Sequence, residues 1–96
     1  MDTAELKIKY DFIKKHFRYI SRADCLLIAN YDKKGIQNYI GGNAFLEMGY
    51  AYSLAKPIFL LNPLPQIEYY YHEMVAMQPI VLNGKLSLIS NFLGKK

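Results

Sequence analysis

The sequence predicts an α/β domain with helices on both faces of a short parallel sheet, a three-layer α/β/α arrangement. Two short, unbroken apolar runs, Ala23–Asn30 and Ile58–Asn62, read as strands buried on both faces rather than as half-exposed alternating strands. Between them lie a polar, glycine-bearing loop and one apolar-faced helix, the kind of long connection that parallel strands require. A third short run, Pro79–Leu82, follows another helical stretch. The predicted order is therefore α-β-α-β-α-β-α.

Asp2 or Thr3 can cap a first helix that runs to about Ser21, with Ile8, Phe12, Ile13, Phe17 and Ile20 recurring at three- and four-residue steps. That apolar face is expected to pack on the sheet. After the first strand, residues 31 to 42 read as a loop, because Asp32, Gly35, Asn38, Gly41 and Gly42 supply turn chemistry. Asn43 is the expected cap of the second helix, whose apolar face includes Ala44, Phe45, Met48, Ala51, Tyr52 and Ala55; Lys56-Pro57 ends it. Pro63-Leu64-Pro65 turns the chain after the second strand. Ile67 to Met77 has helical spacing in Tyr70, Met74 and Met77, and Tyr69-Tyr70-Tyr71-His72 puts rings all round that helix. Such a cluster fits either a dimer face or packing within the chain. Asn83-Gly84 then makes a turn, and Lys85 to Phe92 reads as a last helix with Leu86, Ile89 and Leu93 on one face.

A chain of 96 residues makes one domain with a modest core, and self-association would add to it. With no long apolar run and no signal-peptide pattern, a cytoplasmic protein without a membrane span is expected. The single Cys25 excludes a disulfide framework and reads as a small buried hydrophobe. A net charge of +4 suits anionic ligands, yet the lysines are scattered over the first helix, the Lys33-Lys34 loop and the Lys95-Lys96 tail, which is not a nucleic-acid stripe. No Walker motif, GxGxxG, serine elbow or metal-spaced Cys/His pattern occurs, so neither a cofactor nor a metal is expected.

The chemistry-bearing feature is Glu47, a carboxylate inside an apolar helical run just after Gly41-Gly42. An unpartnered buried carboxylate is costly, so Glu47 belongs either at a wet helix edge or in a cleft where its charge is used. The cleft is the reading adopted here, a sugar-sized hollow at the carboxyl end of the sheet, where ligands of open parallel sheets bind. His16 falls on or beside the first helix's apolar stripe. It reads either as a half-buried histidine bonded to the backbone or as an acid or base near Glu47.

Across roughly residues 16 to 82 the chain resembles the nucleoside 2-deoxyribosyltransferase-like family, which includes 2'-deoxynucleoside 5'-phosphate N-hydrolases. The likeness is carried by Ala23–Asn30, by Gly42–Ala51 with its Glu-x-Gly-x-Ala core, and by Lys56–Leu61, and Tyr39-Ile40-Gly41-Gly42-Asn43 looks like a separate branch. The resemblance implies a flavodoxin/Rossmann-like fold and a nucleoside or nucleotide ligand, while the modest core and the tyrosine-rich third helix are what predict a homodimer or higher oligomer. It implies cleavage or transfer at the N-glycosidic bond, with Glu47 attacking the anomeric carbon and His16 as the acid or base, where relatives commonly carry aspartate. It also implies Asn43 as a sugar ligand, Gly41 and Gly42 amides for phosphate or sugar oxygens, and Asp24 and Asn30 as orienting groups. For Asp24 a turn before the strand, and for the glycines simple turn formation, are the competing structural roles. Relatives open on a strand and a small-residue turn that floor the nucleoside site, whereas this chain opens on the helix. The expected domain is thus truncated at its amino end, and the alternative is a catalytically inactive nucleotide-binding or dimerisation module.

Overall fold

A computed structural model of the chain describes residues 3–94, with side chains from Phe12 onward; the expected cap at Asp2 or Thr3 and the Ile8 side chain lie outside that set. Helix α1 (Thr3–Arg22), strand β1 (Leu26–Ile28), helix α2 (Gly42–Ser53), strand β2 (Ile58–Leu60), helix α3 (Tyr71–Ala76), strand β3 (Ile80–Val81) and helix α4 (Ser87–Leu93) follow one another in the expected order. The described residues thus form a small α/β domain with a three-stranded parallel sheet, β1-β2-β3, and four helices. Leu26, Leu27 and Ile28 stand beside Ile58, Phe59 and Leu60, and Phe59 and Leu60 stand beside Ile80 and Val81.

The pleat sorts these residues onto two faces. Ile28, Ile58 and Leu60 join Ile20, Ile40, Met48, Ala51 and Met74 in one buried cluster. Phe59 points the other way and meets the Phe92 ring of α4 edge-on, with centroids 5.5 Å apart. The central strand is consequently buried throughout, while in the edge strand β1 Leu27 is 40% exposed. The expectation that both strands are buried on both faces therefore holds for β2 and not for β1. Burial on both faces requires a helix over each, and the Phe92 contact of α4 falls on β2.

Helix α1 lies chiefly against α2 rather than on the sheet, with the Phe17 and Tyr50 rings stacked at 4.3 Å. On the flank of α2 toward α3, Phe45 stacks on Tyr70 at 4.4 Å, and a side chain at Gly49 would touch Met77. The helix expected over Ile67 to Met77 is shorter, because the chain through Pro63 to Ile67 runs without regular structure and helix begins only at Tyr71. The tyrosine cluster divides accordingly. Tyr69 is 90% exposed, whereas Tyr70 turns inward and its hydroxyl donates to the Ile40 carbonyl at 2.6 Å. Burial, and then the neighbouring Tyr39 phenol, raises the Tyr70 pKa above its ordinary 10.0. Cys25 is half-buried. Among the described residues no helix is long and apolar enough to cross a membrane.

Candidate functional site

Helix α2 positions the site. Its cap is Gly41, with extended backbone (φ −81°, ψ 177°) and no side-chain capping bond, so Asn43 sits inside the first turn instead of capping it as expected. The Asn43 amide is thereby left exposed beside Glu47, one turn further on. Glu47 looks across to α1, where an oxygen of its carboxylate accepts a hydrogen bond from the His16 Nδ1–H at 3.2 Å. The side chains of His16 and Glu47 are 37% and 23% exposed, so this is a half-wet pair rather than a buried ion pair. Phe12, one turn before His16, packs its ring against the imidazole with centroids 4.2 Å apart.

Phe12, Ile13, His16, Asn43, Leu46 and Glu47 enclose a hollow of about 20 Å³. That volume admits about one water, so the sugar-sized hollow expected beside Glu47 is corrected to a water-sized one, because Phe12 and Leu46 crowd it. Asn43 also lines a second, open hollow of about 470 Å³ at the carboxyl end of β1. Ala29, Tyr31, Lys33, Lys34, Tyr39 and the Gly41-Gly42 pair form its other walls, with Asp32 and Ala44. Small-molecule sites usually fall in the range of about 300–1,000 Å³. The two hollows meet at Asn43, one offering a carboxylate and an imidazole and the other lysines, aromatic rings and a helix start.

The two glycines differ. A Cβ on Gly41 would sit 3.2 Å from Cε1 of the Tyr39 ring, so this glycine is explained by the chain's own packing. A Cβ on Gly42 would meet nothing within 4 Å, and Gly42 is not among the positive-φ glycines. Neither backbone conformation nor internal packing asks for glycine there.

Asn30 and Asp24 stand apart from this arrangement. Asn30 is 1% exposed. Its amide donates to the carbonyls of Asn62 (2.9 Å) and Pro63 (3.1 Å) and, more weakly, of Asn38 (3.4 Å). Its side-chain oxygen accepts the Asn62 N–H at 2.9 Å, and Asn62 Nδ2 donates back to the Asn30 carbonyl at 2.9 Å. The pair clamps the ends of β1 and β2, which corrects the expectation that Asn30 faces a ligand: its bonding capacity is engaged inside the fold. Asp24 is exposed and precedes β1, at the opposite end of the strand from Asn43, so the structure does not bring it to Glu47. The reading of the sequence missed Asn62, Tyr31 and Tyr39 as parts of this region. Asn30 and Asn62 each stand two residues past paired positions, Ile28 and Leu60, a register signal that needs the strand alignment to be seen.

Among the described residues no three His, Cys, Asp or Glu side chains gather as a metal site would need. No protein-family model matches this chain, nor does any curated protein or solved structure.

Proposed function

We infer that this chain cleaves or transfers at the N-glycosidic bond of nucleosides or deoxynucleotides, with Glu47 as nucleophile. The observation that carries the reading is the Glu47–His16 contact at 3.2 Å beside Asn43, a residue that also lines the larger cleft. In the reaction, a Glu47 oxygen forms a bond to the anomeric carbon as the bond to the base nitrogen breaks. The bonding pair leaves with the base, which takes up a proton. Water or a second base then displaces the carboxylate. His16 Nδ1 holds the carboxylate oxygen in place, and in the imidazolium form the other ring nitrogen carries the proton that a leaving base needs. Asn43 offers an amide to sugar hydroxyls, and the start of α2 with Lys33 and Lys34 offers donors to a phosphate. The sheet with its helices is placed, on this reading, in a three-layer flavodoxin-like fold, acting in the cytoplasm as a homodimer.

One observation favours a second reading, a nucleotide-binding or dimerisation module without turnover: the hollow at the carboxylate is the size of a water rather than of a sugar. The test is to incubate the protein with deoxynucleosides and their 5'-monophosphates and to follow free base by chromatography. Base release that Glu47→Ala abolishes supports the first reading. Release that survives the substitution refutes it, and no release together with a nucleotide-dependent rise in Tm selects the second.

A further inference from the structure

The loop between β1 and α2, from which the reading above takes only Lys33 and Lys34, has a built geometry of its own. Lys33 and Ile36 exchange both backbone hydrogen bonds (3.1 and 2.9 Å), and Lys34 (φ 55°) and Gly35 (φ 74°) between them are both left-handed. This is a two-residue hairpin turn of the I′ kind. A second closure lies outside it, where the Tyr39 N–H donates to the Tyr31 carbonyl at 3.0 Å and the Asn38 N–H donates to Asp32 Oδ1 at 2.9 Å. The loop is therefore a braced wall of the 470 Å³ hollow rather than a slack connection.

Two rings belong to that wall, and they are treated differently. Tyr39 is held against Gly41 and has the Lys34 ammonium 5.6 Å from its ring centre. Tyr31 is 64% exposed, and its side chain has no hydrogen-bond or ring partner among the described residues. Lys33 and Lys34 have no carboxylate partner among the described residues, while the one acidic side chain of the wall, Asp32, is engaged by Asn38. A free aromatic ring and surplus positive charge on one rigid rim match a ligand that joins a flat ring to an anionic group.

We propose that the Tyr31–Tyr39 loop selects the ligand: Tyr31 stacks on a planar base while Lys33 and Lys34 attract a phosphate, so that a nucleoside monophosphate is preferred over a neutral nucleoside. The proposal rests on the nucleoside reading of the Glu47 site but concerns binding, which is measured without turnover. Calorimetry on the full chain carrying Glu47→Gln, with 2'-deoxyadenosine 5'-monophosphate, 2'-deoxyadenosine and 2-deoxyribose 5-phosphate as probes, tests it. The monophosphate is expected to bind about tenfold or more tighter than either of the other two. Tyr31→Ala weakens the two base-containing probes by about tenfold and leaves the sugar phosphate unchanged, and Tyr31→Phe restores them. Lys33→Ala combined with Lys34→Ala weakens the two phosphorylated probes only and flattens their salt dependence. Because the Tyr31 ring is unpacked, unchanged Tm verifies that its variants fold. Equal affinity for all three probes, no binding of any at millimolar concentration, or full affinity in Tyr31→Ala overturns the proposal. Selective binding without base release by the parent protein would sink the catalytic reading and leave this one standing. Base release with an unaltered KM in Tyr31→Ala would do the reverse.

Discussion

Two polar pairs lie in the part of the molecule near the carboxyl ends of β1 and β2 and the first turns of α2, and they are built on opposite plans. In the Asn30–Asn62 clamp every bond goes to the chain itself, and the Asn30 side chain is sealed from water. In the His16–Glu47 pair one contact of 3.2 Å joins two half-exposed groups, with bonding capacity left over toward a hollow and an exposed Asn43. A satisfied, buried amide network specifies a fold, since the groups it pairs are costly to strand. A pair that is only partly satisfied, on the rim of a cleft, is where outside chemistry can enter.

The sharpest way to break this comparison is to remove one member of each pair and read activity and stability separately. Glu47→Ala is expected to reduce base release by roughly a thousandfold or more, with the Tm almost unchanged, since its one hydrogen bond among the described residues is half-exposed. Asn30→Ala is expected to do the opposite, costing about 2–4 kcal/mol in urea denaturation because it strands the Asn62 N–H and leaves the facing carbonyls without their donor. Should Glu47→Ala unfold the protein, or Asn30→Ala keep full stability and lose only activity, the division between fold and site drawn here is wrong.

A smaller effect sharpens the role of Tyr70, which seals the Ile40 carbonyl next to the loop. Tyr70→Phe is expected to cost about 1 kcal/mol through the lost hydrogen bond. The pH dependence has a definite sign. The folded state raises the Tyr70 pKa above 10.0, so the native chain holds this proton more firmly than the unfolded chain does. The contribution is full below pH 10 and is lost as pH climbs through the raised value. Urea midpoints measured from neutral to strongly alkaline pH should fall less steeply for Tyr70→Phe than for the parent. An identical alkaline slope in the two proteins would remove Tyr70 as its source.

The order of elements was legible because each run carries its own signature: unbroken apolar strands at Leu26–Ile28 and Ile58–Leu60, breakers at Lys56-Pro57 and Asn83-Gly84. What was not legible depends on partners distant along the chain. Nothing in Leu26-Leu27-Ile28 says that α4 meets Phe59 and leaves Leu27 exposed. Nothing local to Asn30 says that Asn62 will stand opposite it, so a polar residue ending a strand read equally well as a ligand contact. The side chain of Asn43 suits a cap, but the extended backbone of Gly41 takes that place two residues earlier. The resemblance points to His16 beside Glu47, whereas the stripe on α1 by itself predicts packing on the sheet and leaves a backbone-bonded histidine open. The smallness of their shared hollow depends on how the side chains lining it, Phe12 and Leu46 among them, close around it.

The finest discrimination comes from Gly42, where the expected change in stability is slight and favourable. Glycine costs a helix up to about 1 kcal/mol relative to alanine, and replacing it lowers the entropy of the unfolded chain. At Gly42 no atom lies within 4 Å of the added methyl and the backbone is not left-handed, so Gly42→Ala should leave Tm unchanged or raise it. Gly41→Ala is the control, since its methyl would press on the Tyr39 ring at 3.2 Å and disturb the loop. If Gly42 is kept bare for a ligand that approaches the start of α2, Gly42→Ala will raise KM or Kd for a nucleotide while the fold gains stability. Such a pairing of lost affinity with gained stability is the signature of a residue shaped by something outside the chain. A Gly42→Ala protein that binds as tightly as its parent would move the ligand away from this helix start and leave Glu47 and His16 facing no more than a water.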